Sequence, residues 1–224
     1  MSISPATIAI GAAAAAVALS SKPKSGVRKT ASRRKGSYDF GTKSNPNREA
    51  ARQFIIDASR YVSRRYETMS GLDAFLAGTA WKESRYNAFV QNGTSRNSAR
   101  GLFQLRADSA FRSNNGLEHL RNQPDLLLDP VWNFVMAVDY AARGIERANQ
   151  KGGDPDWLAI RRWWAYPHLV HDYDEQNSRS KSIGDNFPSD LRKAGFSPND
   201  AFRAARYGNY PGVYPIGKTF GLWS

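Results

Sequence analysis

The chain has no cysteine in 224 residues. Disulfides, thiolate nucleophiles and cysteine-based zinc sites are therefore excluded. A cysteine-free protein is compatible with an oxidising compartment without establishing one. Acidic residues are missing from residues 1–35, where seven bases stand alone: Lys22, Lys24, Arg28, Lys29, Arg33, Arg34 and Lys35. A long apolar run is missing too. Pro5 to Leu19 is almost wholly apolar and alanine-rich, but it falls short of the ~20 residues of a spanning helix, and alanine contributes little to insertion. Met1 to Ser21 carries no charge, so it lacks the positive start of a secretory signal. Bases placed just after an apolar segment tend to stay cytoplasmic, which argues against ordinary export. For residues 1–21 the expectation is a membrane-active segment, a packing segment inside an assembly or a low-complexity tail. Residues 22–46, rich in Ser, Lys, Arg and Gly, read as a basic flexible linker. Strand alternation is absent apart from short pieces within Ala88–Leu105, and no internal repeat is found.

What is present suits one domain of about 150 residues with extensions at both ends. Six Trp, ten Tyr and eleven Phe are ample for a sizeable core. Removing the seven N-terminal bases from the net charge of +12 leaves +5 on the rest of the chain. A partner polymer bearing carboxylates or phosphates fits that balance, and bacterial cell wall and nucleic acid both qualify. Residues 1–35 are the candidate contact for DNA or an anionic membrane, or else a solubilising arm.

The body of the chain reads as helical. Asn47 caps a helix running to about Glu67, with Phe54, Ile55, Ala58, Tyr61 and Val62 at core spacing. Ser70 and Asp73 form a capping-box-like start for the next helix. Asp129-Pro130, Asp154-Pro155 and Ser197-Pro198 each pair a capping residue with proline, the arrangement favoured at a helix N-terminus. After Asp129, the residues Val131, Phe134, Val135, Val138, Ala142 and Ile145 share one face.

Glu83 is the residue that stands out. At about 100° per residue, Leu72, Phe75, Leu76, Thr79 and Ala80 form an apolar stripe, Glu83 lies roughly 20° from Leu72, and Trp81 points the other way. A buried carboxylate must be paired or protonated. The C-terminal end of a helix also disfavours negative charge. Both effects favour the protonated form that a general acid needs. The plainer expectation is a solvent-facing glutamate paired with Lys82 or Arg85.

Glu83-Ser84-Arg85-Tyr86-Asn87, a loop, and then Gly101-Leu102-Phe103-Gln104-Leu105 resembles the catalytic signature of the soluble lytic transglycosylases, whose fold is goose-lysozyme-like. Members of that family usually carry Glu-Ser-x-Phe-Asn followed by Gly-Leu-Met-Gln-Ile. Here Phe103 replaces the methionine, and the loop from Ala88 to Arg100 is a few residues longer. Asp129-Pro130-Val131-Trp132-Asn133 resembles the family's next helix start. Ala165-Tyr166-Pro167-His168 retains only the Ala-Tyr pair of its Ala-Tyr-Asn-Ala-Gly motif. The resemblance covers roughly residues 50–170. It implies a mainly α, lysozyme-like domain at 47–180, with residues 181–224 as a C-terminal extension that resembles nothing named.

The resemblance also implies a chemistry. Glycoside hydrolysis ordinarily uses two carboxylates, and the next acid after Glu83 is Asp108, with nothing to place it opposite. In the family one carboxyl suffices. Glu83 would protonate the bond between N-acetylmuramic acid and N-acetylglucosamine, then deprotonate the muramic C6 hydroxyl, which closes a 1,6-anhydro ring. Gln104, Tyr166, Ser84 and Phe103 would line the substrate, with Ser84 supporting the glutamate. No cofactor is expected. No metal is expected either, since His168 and His171 lack further ligand-type clustering. Arg161-Arg162-Trp163-Trp164 reads as core plus a sugar-stacking wall rather than a nucleic-acid surface. The expectation is a phage virion-associated enzyme that acts on peptidoglycan in the host periplasm to help genome delivery, beside other virion proteins. A hydrolysing muramidase on the same fold, and a virion structural or DNA-binding protein with an inactive domain, are the alternatives.

Overall fold

The computed structural model describes residues 38–169 and 178–223. Residues 1–37, and with them the apolar segment and most of the basic stretch, lie outside the described residues, as does His171.

Helix α1 runs Arg48–Tyr66. The Asn47 side chain accepts from the Ala50 N–H at 3.1 Å, satisfying one of the free donors of the first turn. Phe54, Ile55, Ala58 and Val62 are buried at the expected spacing, with Tyr61 half-buried beside them. The helix stops where Glu67 turns left-handed, at φ 49.

Helix α2 is Leu72–Ser84 and departs from expectation at its start. Gly71, with φ 85, takes the cap position and no side chain caps the helix. Asp73 instead accepts from Arg60 Nε at 2.8 Å, tying α2 to α1. The helix is also buried well beyond one stripe: Ala74 through Ala80 are all in the core, and Trp81, which points away from the stripe, is half-buried. Two helices enclose it. One is α1, and the other is α6, Ser178–Lys193, whose Phe187 and Leu191 lie so close to Gly78 that a methyl there would meet them at 3.2 and 2.8 Å.

Between α2 and the next long helix come a two-residue hairpin, β1 (Gln91–Asn92) against β2 (Ala99–Arg100), a short helix α3 (Ala107–Ala110) and three 3-10 turns. Helix α4, Pro130–Gln150, follows. Asp129 caps it, accepting from the N–H groups of Val131 and Trp132 at 2.8 and 3.1 Å. All six positions expected on its apolar face are buried.

Helix α5 is Trp157–Ala165, beginning later than Asp154-Pro155 suggests. The Pro155 carbonyl accepts from the Ala205 N–H at 2.7 Å, so it is committed to the C-terminal segment. Asp156 caps the helix, accepting from the Ala159 N–H at 2.7 Å. Ser197-Pro198 opens only a 3-10 turn, Pro198–Phe202, and α7 follows at Val213–Thr219.

The ends of the described chain belong to the core. Tyr38, inside the stretch 22–46 read as linker, donates to Asp57 Oδ2 at 2.6 Å, and Phe40 in the same stretch stands edge-on to Phe54 at 5.3 Å. From the C-terminal side, Val213 and Ile216 are buried, Phe220 meets Phe134 at 5.4 Å and Trp223 meets Trp132 at 5.3 Å. No described helix is long and apolar enough to cross a membrane.

Candidate active site

Glu83 lies in the last turn of α2. The chain reverses directly after it because Arg85 and Tyr86 both adopt left-handed backbone, at φ 52 and 61. The Arg85 N–H closes on the Trp81 carbonyl at 3.1 Å. The Arg85 guanidinium then lies over the Trp81 ring, 4.5 Å from its centroid. Tyr86 turns inward, and burial pushes its phenol well above the usual range.

Ser84 is buried, and its hydroxyl is shared between the carbonyls of Ala80 at 3.1 Å and Leu102 at 2.8 Å. A buried hydroxyl needs an acceptor, and here the acceptors are main chain. Ser84 thus fastens the glycine-led loop to the end of α2. This corrects its expected place on the substrate or the glutamate.

The loop itself is held from below. Gly101 has φ 76, and a methyl on it would run into the Leu127 carbonyl and the Asn133 amide. Asn133 is fully buried, with Oδ1 accepting from the Phe103 N–H at 2.8 Å. Its Nδ2 donates to the carbonyls of Arg100 and Leu127 at 3.1 and 2.9 Å. Gln104, at φ 48, is half-buried; its Nε2 donates to Gly101 and Val90 carbonyls at 2.9 and 3.1 Å, and its Oε1 accepts from Asn92 at 2.7 Å. The longer loop before it wraps around the buried Arg100, whose guanidinium donates to the carbonyls of Ser95, Arg96 and Ser98. Phe103 is fully buried and faces Trp164 at 6.2 Å. It is a core residue and presents no surface to a substrate. Trp163 and Trp164 are likewise core, against Tyr140 at 4.3 and 4.9 Å, and form no stacking wall.

The carboxylate of Glu83 is a quarter exposed and accepts from Arg161 Nη2 at 2.6 Å. This is neither of the local partners, Lys82 and Arg85, that sequence proximity suggests. Arg161 comes from α5 and is buried, so the charge of Glu83 is compensated by a helix distant in sequence. Asp190 of α6 is also buried and lies within the field of the same arginine. Burial pushes its carboxyl above the usual range, opposed by the positive charges of Lys82, Arg161, Lys193 and Arg85. Reading along the chain reveals neither Arg161 nor Asp190. The only trace of the first is a base within a run of tryptophans, and of the second none.

Tyr166 ends α5, the helix that supplies Arg161; its N–H donates to the Arg162 carbonyl at 2.8 Å, and the Arg179 guanidinium lies 4.9 Å from its ring centroid. The structure thus ties Ser84, next to Glu83, to the loop that carries Gln104, and joins α5 to Glu83 through Arg161. His171 and the side chain of His168 lie outside what is described.

The described chain is mainly α, consistent with a lysozyme-like domain, and the Glu83 carboxylate stands at the end of α2 beside a glycine-led loop held by a buried asparagine. Residues 61–166 match the family model described as the transglycosylase SLT domain. That match supports the lytic transglycosylase family, with peptidoglycan as the substrate class. No curated protein and no solved structure matches the chain.

Proposed function

We propose that this protein is a peptidoglycan lytic transglycosylase cleaving the β-1,4 bond between N-acetylmuramic acid and N-acetylglucosamine, with Glu83 as the single catalytic group. The observation that carries this reading is the placing of Glu83: partly exposed, paired with Arg161 at 2.6 Å and next to the loop anchored by Ser84. In the first step the protonated Glu83 gives its proton to the glycosidic oxygen, the C1–O bond breaks, and an oxocarbenium-like sugar forms. In the second, the Glu83 carboxylate takes the proton of the muramic C6 hydroxyl, whose oxygen attacks C1. A 1,6-anhydro ring closes, and Glu83 ends protonated as it began. An internal hydroxyl has a high effective concentration, so no second carboxylate is needed to activate water. Arg161 stabilises the carboxylate between the two steps, and Oε1 still accepts from it when the proton sits on Oε2.

Asp190 favours a second reading. It is a buried carboxyl within the field of the same Arg161, and two carboxyls are what a hydrolysing muramidase uses. Mass spectrometry of digested peptidoglycan separates the two. Anhydro-muropeptides establish the transglycosylase and reducing ends the hydrolase, while an absence of product leaves a structural or DNA-binding protein with an inactive domain.

The proposed setting is a phage virion, with the enzyme opening the host wall for genome delivery and acting in the periplasm. The support is the composition of residues 1–35, an apolar segment followed by seven bases, which suits packing and passage better than catalysis. Detection of the chain in purified particles by mass spectrometry tests it.

A further inference from the structure

Four arginines line a cleft of about 590 Å³ at the end of α2 opposite Glu83. Arg60 and Arg64 stand four residues apart on α1 and so share a face. Arg203 and Arg206 come from the segment that follows the 3-10 turn Pro198–Phe202. Two acids, Glu67 and Asp73, line the cleft as well, and Asp73 is taken by Arg60 Nε at 2.8 Å. Arg203 pairs with Asp200 at 2.8 Å. Arg64 Nε donates to the Arg60 carbonyl at 3.3 Å, and Arg206 has no ion pair or side-chain hydrogen bond among the described residues. Positive charge is in excess here, and all four arginines are exposed.

The backbone holds this cleft open. The Met69 N–H donates to the Arg206 carbonyl at 3.1 Å, the Trp157 N–H to the Arg203 carbonyl at 3.2 Å, and Trp157 Nε1 to the Ser70 carbonyl at 3.0 Å. These bonds fix the C-terminal wall against the turn between α1 and α2. Two glycines permit the approach: a methyl on Gly71 would meet Arg203 Cδ at 3.0 Å, and one on Gly208 would meet the Glu67 carbonyl at 2.5 Å. Like charges fixed on two walls repel, and an anion between them removes that cost. Phosphate suits the guanidinium fork well. Phe202, immediately before Arg203, is 58% exposed, the most exposed large apolar side chain among the described residues. An exposed ring beside a row of arginines is the combination that binds single strands, where bases stack and the backbone meets cations.

We propose that this cleft binds single-stranded nucleic acid, a binding activity of the folded domain separate from wall cleavage and from residues 1–35. Arg64 and Arg206, the two arginines without an acidic partner, hold phosphates of the strand, and Phe202 stacks on a neighbouring base. A phosphate polymer without bases would engage the arginines and leave the ring idle, so the ring favours nucleic acid.

Fluorescence anisotropy on the full-length chain tests this, using a mixed-sequence single-stranded DNA of about twelve nucleotides across a salt series. Arg64→Gln and Arg206→Gln are each expected to reduce the slope of log affinity against log salt by about 0.7, the value of one phosphate contact on a single strand. Phe202→Ala is expected to weaken binding about tenfold and leave the slope alone. Arg147→Gln, at an exposed position on α4, removes the same charge outside the cleft and should leave both unchanged. Circular dichroism should match wild type in every variant, since all four positions are exposed. An Arg147→Gln variant that loses as much slope as Arg64→Gln would mean diffuse attraction and overturn the proposal. A wild-type slope in the variant carrying both Arg64→Gln and Arg206→Gln would put the binding on residues 1–35 and overturn it too. Inorganic polyphosphate binding as tightly as the DNA, with Phe202→Ala silent, would replace nucleic acid with polyanions in general. None of these measurements needs turnover, so their outcome is independent of the reading of Glu83.

Discussion

Arg161 donates to Glu83 at 2.6 Å across 78 residues of sequence, joining the end of α2 to the middle of α5. The two partners differ in exposure: the arginine side chain is 6% exposed and the glutamate 25%. Removing the glutamate therefore leaves a buried cation, whereas removing the arginine leaves a carboxylate that water can reach. The pair is a positional device as much as a stabilising one, because it orients Oε1 and sets α5 against the catalytic helix end.

Glu83→Gln is expected to abolish wall cleavage and to lower stability. The amide still accepts one hydrogen bond from Arg161 but no longer neutralises it. The expected loss is about 1–3 kcal/mol, below that of a fully buried pair because the carboxylate is partly solvated. A double-mutant cycle with Arg161→Gln, read by denaturant unfolding, should return a coupling of about 1–2 kcal/mol. Cleavage retained at more than a few per cent of wild type would remove Glu83 from the mechanism.

Tyr166→Phe keeps the ring that Arg179 covers and loses one hydroxyl. Activity should fall tenfold to a hundredfold, equivalent to about 1.4–2.8 kcal/mol, through loss of the hydroxyl contact to the site that the family resemblance implies. Initial rates of turbidity clearing measure this, and an unchanged rate would show that Tyr166 does not touch the chemistry.

Asn133→Ala removes three hydrogen bonds beneath the glycine-led loop; the Leu127 carbonyl and the Phe103 N–H lose this partner, while the Arg100 carbonyl keeps the Leu105 N–H at 3.1 Å. The expected destabilisation is about 2–4 kcal/mol, or a fall in Tm of about 5–15 °C. Asn133→Asp should be worse, since a carboxylate would face the carbonyls of Arg100 and Leu127. A variant that melts like wild type would mean the loop is held by Ser84 and Gln104 alone.

Deletion of residues 1–35 separates delivery from catalysis. The shortened protein should clear purified walls about as well as the full chain, because the segment offers neither an acid nor an aromatic platform. Its binding to anionic vesicles and DNA should drop, and the full chain's binding should weaken steeply with salt. Co-sedimentation across a salt series reads both. A shortened protein that is folded by circular dichroism yet cannot clear walls would put the segment in the active site.

Short-range physics was legible along the chain. Asn47 and Asp129 cap their helices where expected because a cap bonds N–H groups two or three residues away. The apolar face of α4 is buried as its spacing implies, and the Glu83-Ser84 and Gly101-Gln104 segments do meet. Where two distant parts of the chain compete for one group, tertiary packing decided the outcome. Pro155 yielded its carbonyl to Ala205, which moved the start of α5. Ser84 turned to Leu102 rather than to its neighbour, and Phe103 filled the core against Trp164. The partner of Glu83 could not be read locally either, because Lys82 and Arg85 were nearer in sequence. Helix packing placed Arg161 there instead, and a buried guanidinium beside a half-buried carboxylate is bound to it by the low local dielectric whatever the distance along the chain.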